Sequence, residues 1–155
     1  MKMGYEPPMR RESYGNAQYV TVGGHTIRVK SDAEAIFMRQ VDAAVHGGLI
    51  VAWQYEPEAF PIDYKYRKND CTDTYTPDVR IVWKSEEGEV WYEVKRGALQ
   101  PKYASKIKRF CQQYPGKKLV LVWIGSPPKR GAVKARFDRL LPHLHHVWYL
   151  TGKKR

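Results

Sequence analysis

Apolar residues in this chain return with two different periods, and the alternation between them maps the elements. Ser31-Asp32-Ala33-Glu34 opens a stretch with helical spacing that runs to about His46 and closes at Gly47-Gly48. Its apolar face is Ala33, Ile36, Phe37, Val41, Ala44 and Val45. Glu34 falls on the rim of that face, while Asp32, Arg39 and Asp42 point away. Upstream, two β-rich runs flank Gly23-Gly24, which predicts a two-residue hairpin with Val22 opposite His25 and Val20 opposite Ile27. His25 then only flanks the turn. Residues 49–55 form the first core strand, and residues 56–72 an irregular or extended approach to a second hairpin. Residues 74–83 and 89–95 are dense in β-branched and aromatic side chains. Ser85-Glu86-Glu87-Gly88 between them is turn material, so a β-hairpin is expected. A helix over residues 101–114 starts at Pro101, with Tyr103, Ile107 and Phe110 as its buried stripe. Residues 119–124 are continuously apolar, the mark of a strand buried on both faces. A Pro- and Gly-rich break precedes a short basic helix over 132–141 that Pro142 stops, and 147–150 reads as an edge strand or subunit contact. Helix, strand, hairpin, helix, strand is the order αβββαβ, an α/β class with a central mixed sheet flanked by helices.

The predicted hairpin carries the chemistry. If Lys84 pairs with Glu89, Asp78 faces Lys95 and Arg80 faces Glu93, which makes Asp78 and Glu93 diagonal neighbours able to grip one cation. Val79, Ile81 and Trp83 share one face of their strand, and Val90, Tyr92 and Val94 one face of theirs. Two carboxylates and a lysine at one hairpin mouth suit metal-assisted phosphodiester cleavage. Oxygen ligands favour a hard cation such as magnesium, which activates water and neutralises phosphate charge. A lysine beside them positions that water and stabilises negative charge. A lone Asp or Glu would be an ordinary solvated charge; the ordered set is more telling. Asp63, Asp70 and Asp73 are rival carboxylates without a Glu-x-Lys partner at hairpin spacing. Glu34 has its own competing role, because Ser31 and Glu34 have the spacing of a capping box.

Pro77-Asp78 followed by Glu93-Val94-Lys95 resembles the PD-(D/E)xK nuclease superfamily. Thr74-Tyr75-Thr76-Pro77-Asp78 is similar to the phage endonuclease I group of Holliday-junction resolving enzymes, and archaeal-type resolvases carry the same pattern. The resemblance spans roughly residues 31–125. It implies a restriction-endonuclease-like core in which Asp78, Glu93 and the backbone carbonyl of Val94 bind magnesium, with manganese as a substitute. It further implies that Lys95 orients or activates the water and that Glu34, from the first helix, holds a second metal ion or a water. Thr76 and Arg80 would lie near the scissile phosphate. A resolvase cuts two strands symmetrically, so a homodimer is also implied. Another phage or mobile-element nuclease with this core and a catalytically silent basic DNA-binding module are the alternatives.

Charge adds the partner. The chain has 155 residues, one domain's worth, with 27 Lys and Arg against 16 Asp and Glu, a formal net charge of +11. Such a surface calls for a polyanion, nucleic acid before anionic membrane. Arg80, Lys102, Lys106, Arg109, Lys129, Arg130 and Lys134 are the candidate contacts to branched or duplex DNA; charged helical faces are also commonly just solvated. Tyr64-Lys65-Tyr66-Arg67-Lys68 interleaves aromatic and basic side chains, which fits either backbone contact or a strand with one solvated face. Two cysteines, Cys71 and Cys111, are too few for a disulfide scaffold and read as reduced thiols. His143-Leu144-His145-His146 lacks a companion ligand cluster, which weighs against a metal site there. Residues 1–17 read as a flexible basic arm containing Arg10 and Arg11, residues 18–150 as the nuclease domain, and 151–155 as a basic tail. With no apolar signal core or membrane-length run, a soluble cytoplasmic protein is expected, in the host cytoplasm if phage-encoded.

Overall fold

The computed structural model describes residues 17–86 and 88–152. Apart from Ala17, Thr151 and Gly152, the expected N-terminal arm and basic tail lie outside the described residues. β1 (Gln18–Val22) and β2 (His25–Val29) pair in the expected register, Val22 opposite His25. Gly23 and Gly24 both have positive φ, 54° and 82°, the backbone a two-residue turn of this kind demands. α1 (Asp32–His46) comes next, with Ser31 Oγ accepting the Glu34 N–H at 3.2 Å as its N-cap. Asp42 Oδ1 accepts the Gly23 N–H at 2.9 Å and ties the first hairpin to this helix.

The centre is a five-stranded mixed sheet in the order β3 (Ile50–Tyr55), β6 (Val79–Trp83), β7 (Glu89–Arg96), β8 (Lys118–Ile124), β9 (His146–Leu150). Strands β3, β6 and β7 are antiparallel neighbours, whereas β8 lies parallel to β7 and β9 parallel to β8. Those two parallel crossovers are carried by α2 (Pro101–Gln113) and α3 (Gly131–Leu140). β8 is buried on both faces, as its continuous apolar run requires, and β9 is an edge strand. The alternation of side chains divides the core in two. Val90, Tyr92, Val94, Val120 and Val122 pack with α1 and the β1–β2 hairpin; Trp91, Leu119, Leu121 and Trp123 pack with α2 and α3. Among the described residues no helix is long and apolar enough to cross a membrane.

Three sequence expectations change. Residues 56–72 take the extended rather than the irregular form, and go further than an approach: β4 (Phe60–Tyr66) and β5 (Asn69–Tyr75) form a separate two-stranded hairpin against α2. Phe60, Ile62 and Tyr64 are buried and alternate with exposed Pro61, Asp63 and Lys65, a period-two signal in plain sight. Its turn, Arg67-Lys68, contains neither Gly nor Asn, so the usual hairpin punctuation is missing. Residues 74–83 are likewise not one strand. The proline at 77 has no N–H for a ladder, and Thr76-Pro77-Asp78 breaks the run between β5 and β6. Finally, Val82 rather than Lys84 lies opposite Glu89. The shift of two residues keeps every side chain on its expected face but changes every partner.

Candidate functional site

Val79, the first residue of β6, lies opposite Tyr92. Asp78 immediately precedes that pair, outside the ladder, and is close enough for Glu93 to act on its carboxyl. Asp78 is stitched to β7 on both sides of that glutamate. Its N–H donates to the Tyr92 carbonyl at 2.9 Å, and its Oδ2 accepts the Val94 N–H at 2.7 Å. The N–H and C=O of one strand residue leave on the same edge, so the Val94 carbonyl also faces the gap where β6 begins. Glu93, only 3% exposed, accepts the Tyr75 hydroxyl on Oε2 at 2.7 Å and meets Lys95 Nζ through Oε1 at 3.0 Å. Lys95 therefore pairs with Glu93 and does not stand opposite Asp78.

Glu34, 6% exposed, comes from the first turn of α1 and sits deeper than a rim position. Its Oε1 accepts the Tyr55 hydroxyl at 2.7 Å and its Oε2 accepts Ser31 Oγ at 3.1 Å. The cap and the cleft do not compete. Ser31 Oγ satisfies the Glu34 N–H, while the Glu34 carboxylate turns toward Tyr55 instead of the Ser31 backbone. Glu34, Asp78, Glu93, Val94 and Lys95 line one cleft of about 410 Å³, together with Lys30, Glu56, Thr76, Tyr103 and Lys106.

Electrostatics in this cleft are dominated by crowded negative charge. Burial, with Glu93 and Glu34 nearby, pushes the Asp78 carboxyl well above the usual carboxylate range; Lys95 and the Val94 N–H offset only part of this. Burial by itself would lower the Lys95 ammonium, but Glu93 and Asp78 outweigh it and hold Lys95 above its ordinary value, so it stays a cation at neutral pH. For Lys30, too, burial works to lower the ammonium, and its ion pair with Glu56 overcomes that cost. The Tyr55 and Tyr75 hydroxyls are pushed up, first by burial and then by the carboxylates they bond, and remain donors.

A raised Asp78 makes the native state bind more protons than the unfolded chain above the ordinary carboxylate pKa. Its ionisation therefore costs stability as pH rises toward the folded value. Asp78→Asn keeps an acceptor for the Val94 N–H and removes the repulsion. In chelator, we expect it to melt higher than wild type at neutral pH, with the gain vanishing as pH falls through the carboxylate range. Thermal unfolding across pH checks this, and a lower melting temperature throughout would show that the crowding is not felt.

The oxygen-rich donor set fits a hard divalent cation. Among the described residues no three His, Cys, Asp or Glu side chains gather into a ready cage, neither here nor at His143, His145 and His146. Each carboxylate is instead held by protein donors. Magnesium characteristically keeps several waters and uses one or two carboxylates plus substrate oxygens, and Asp78, Glu93 and the Val94 carbonyl match that sparse set.

Several candidates lie elsewhere. Arg80 sits opposite Trp91, not Glu93, and its Nε donates to Glu89 Oε1 at 2.6 Å, which turns it away from the cleft. Lys106 lines the cleft and pairs with Asp73 at 3.3 Å, so Asp73 serves as a counter-charge. Lys102 is exposed near the start of α2, and Lys129 and Arg130 are exposed before α3. Arg109 Nε is used on the Asp63 carbonyl at 2.5 Å, and Lys134 pairs with Asp138 one turn along α3. Tyr103 does not join the buried stripe of α2. It is 47% exposed, with Lys95 Nζ 4.6 Å from its ring centre. Sequence reasoning missed Tyr55, Tyr75, Lys30 and Glu56. Tyr55 could have been found, since pairing β3 with β6 sets it opposite Val79, next to Asp78. Tyr75 has no such linear signal. Cys71 and Cys111 are free thiols, the latter pushed up to about 12 by burial.

No protein-family model matches the chain, and no curated protein or solved structure is significantly similar to it.

Proposed function

We propose that this protein is a magnesium-dependent endonuclease of the PD-(D/E)xK type that acts on branched DNA as a homodimeric Holliday-junction resolvase. The observation that carries the reading is the gathering of Asp78 and Glu93 in one cleft, Asp78 accepting the N–H of Val94 next to Glu93, with Lys95 bonded to Glu93. The order α1, β3, β6, β7, α2, β8 fits a restriction-endonuclease-like core into which the β4–β5 hairpin is inserted.

Asp78, Glu93 and the Val94 carbonyl would hold the cation, with manganese able to replace magnesium. When bound, the cation supplies charge neutralisation at the phosphate and a more acidic water. Lys95, held as a cation, stabilises negative charge and orients the attacking water rather than acting as its base. Tyr75 fixes the rotamer of Glu93, and Tyr55 fixes Glu34 across the cleft, where it orients a water or accepts its proton. Thr76, exposed on the cleft wall, would meet a phosphate oxygen.

The net charge of +11 makes DNA binding an ion-exchange process. With roughly 6–10 phosphate contacts, affinity should fall by about three to five decades between 50 and 200 mM salt. A nearly flat titration would contradict an electrostatic DNA-binding mode. Incubation with a labelled four-way junction and with its linear arms, each in magnesium or chelator, tests the activity. Paired nicks confined to the junction in magnesium are expected. Equal cutting of the arms would point to another nuclease with this core, and binding without cleavage to a silent DNA-binding module.

A further inference from the structure

The β4–β5 hairpin ends in an unusual turn. Tyr66 pairs with Asn69, leaving Arg67 and Lys68 as a two-residue loop, and both have positive φ, 50° and 65°. Such a turn ordinarily takes Asn-Gly, because a side chain with a β-carbon is disfavoured in left-handed backbone. Here both positions are long cations instead. Both are exposed, and among the described residues neither makes an ion pair. The Arg67 guanidinium lies over the Tyr66 ring, 5.2 Å from its centre, which holds the side chain against its own hairpin. A turn that retains backbone strain to present two exposed charges is a sign of use rather than of folding.

The hairpin's other end is at the cleft. Thr74 and Tyr75 line it, and Tyr75 bonds Glu93. Seven residues of β5 separate that end from the turn, a span of roughly 23 Å at about 3.3 Å per residue. A second groove of about 630 Å³ runs between the hairpin and α2, of mixed charge, with Lys65, Lys108 and Arg109 beside Asp63 and Asp70 in its lining. We propose that the β4–β5 hairpin is a duplex-tracking arm. Its Arg67-Lys68 tip would grip phosphates roughly six or seven base pairs from the scissile bond, at about 3.4 Å of rise per pair. This rests on the nuclease reading above and adds the direction in which a DNA arm leaves the cleft.

Two double variants separate charge from turn geometry. Arg67→Asn with Lys68→Gly supplies the favoured turn residues, and Arg67→Gln with Lys68→Gln keeps the strained turn but removes the charge. We expect the Asn-Gly variant to melt at or above wild type. Both variants should bind a long-armed junction with a salt slope smaller by about 2, near 0.9 for each phosphate no longer neutralised. Neutral methylphosphonates scanned along one arm should weaken wild type at the sixth or seventh position and leave both variants indifferent there. If the wild type binds and cuts junctions but both variants match its slope and its methylphosphonate profile, the arm assignment is overturned and the nuclease reading stands. If the wild type binds no DNA at low salt, both fall together.

Discussion

Asp78→Asn or Glu93→Gln should lower junction cleavage at least about a thousandfold while leaving junction binding unchanged or tighter. The size comes from the several kcal/mol that a cation contributes to stabilising charge at a reacting phosphate, at about 1.4 kcal/mol per decade of rate. The direction of the binding change comes from the cleft's own charge. Asp78 is held above the usual carboxylate range by burial and by its glutamate neighbours, so removing either negative group eases the approach of a phosphate. The two variants differ in their side effects. Asp78→Asn retains an oxygen that can accept the Val94 N–H, whereas Glu93→Gln changes the partner of both Lys95 and the Tyr75 hydroxyl. Gel shift and cleavage on one preparation decide the matter, and wild-type rates in either variant would remove the proposed site.

Glu34→Gln should reduce cleavage roughly a hundredfold or more, the scale of a positioned acid–base group, with little change in melting temperature. Glutamine can accept the Tyr55 hydroxyl and present its amide to Ser31 Oγ, so the local bonds survive and only the charge is lost. Ser31→Ala is a less clean control than its capping role suggests. It costs the cap about 0.5–2 kcal/mol, but it also removes a hydrogen bond to the Glu34 carboxylate. Tyr55→Phe completes the set, because it leaves the cap intact and frees Glu34 Oε1. Near-normal cleavage by Glu34→Gln in magnesium would restrict the active site to Asp78, Glu93 and Lys95.

The elements legible in sequence were those whose signals are local. α1 announces itself by a helical apolar stripe with Ser31 before it and Gly47 after it, and the first hairpin by Gly23-Gly24. What sequence hid depends on contacts between distant segments or on departures from local preference. The β4–β5 hairpin lacked a recognisable turn because its left-handed positions are occupied by Arg67 and Lys68. The register of β6 on β7 could not be taken from Ser85-Glu86-Glu87-Gly88 alone, because Lys84 lies outside both strands and the connection is longer than those four residues. A slip of two residues preserves the pleat, so Glu93 keeps its face, and Asp78 still meets β7 beside it through the Val94 N–H, while Arg80 pairs with Glu89 instead of Glu93. The amphipathic pattern of α2 puts Tyr103 in the core, yet its ring lines the cleft beside the Lys95 ammonium.

Manganese binding, monitored by electron paramagnetic resonance on wild type, Asp78→Asn, Glu93→Gln and Arg80→Ala, tests most directly whether these residues hold one cation together. Wild type and Arg80→Ala should both take up manganese in competition with magnesium, and the two carboxylate variants should lose that uptake while remaining folded. Equal uptake by all four proteins, or none by wild type even with junction DNA bound, would contradict a metal site built on Asp78 and Glu93.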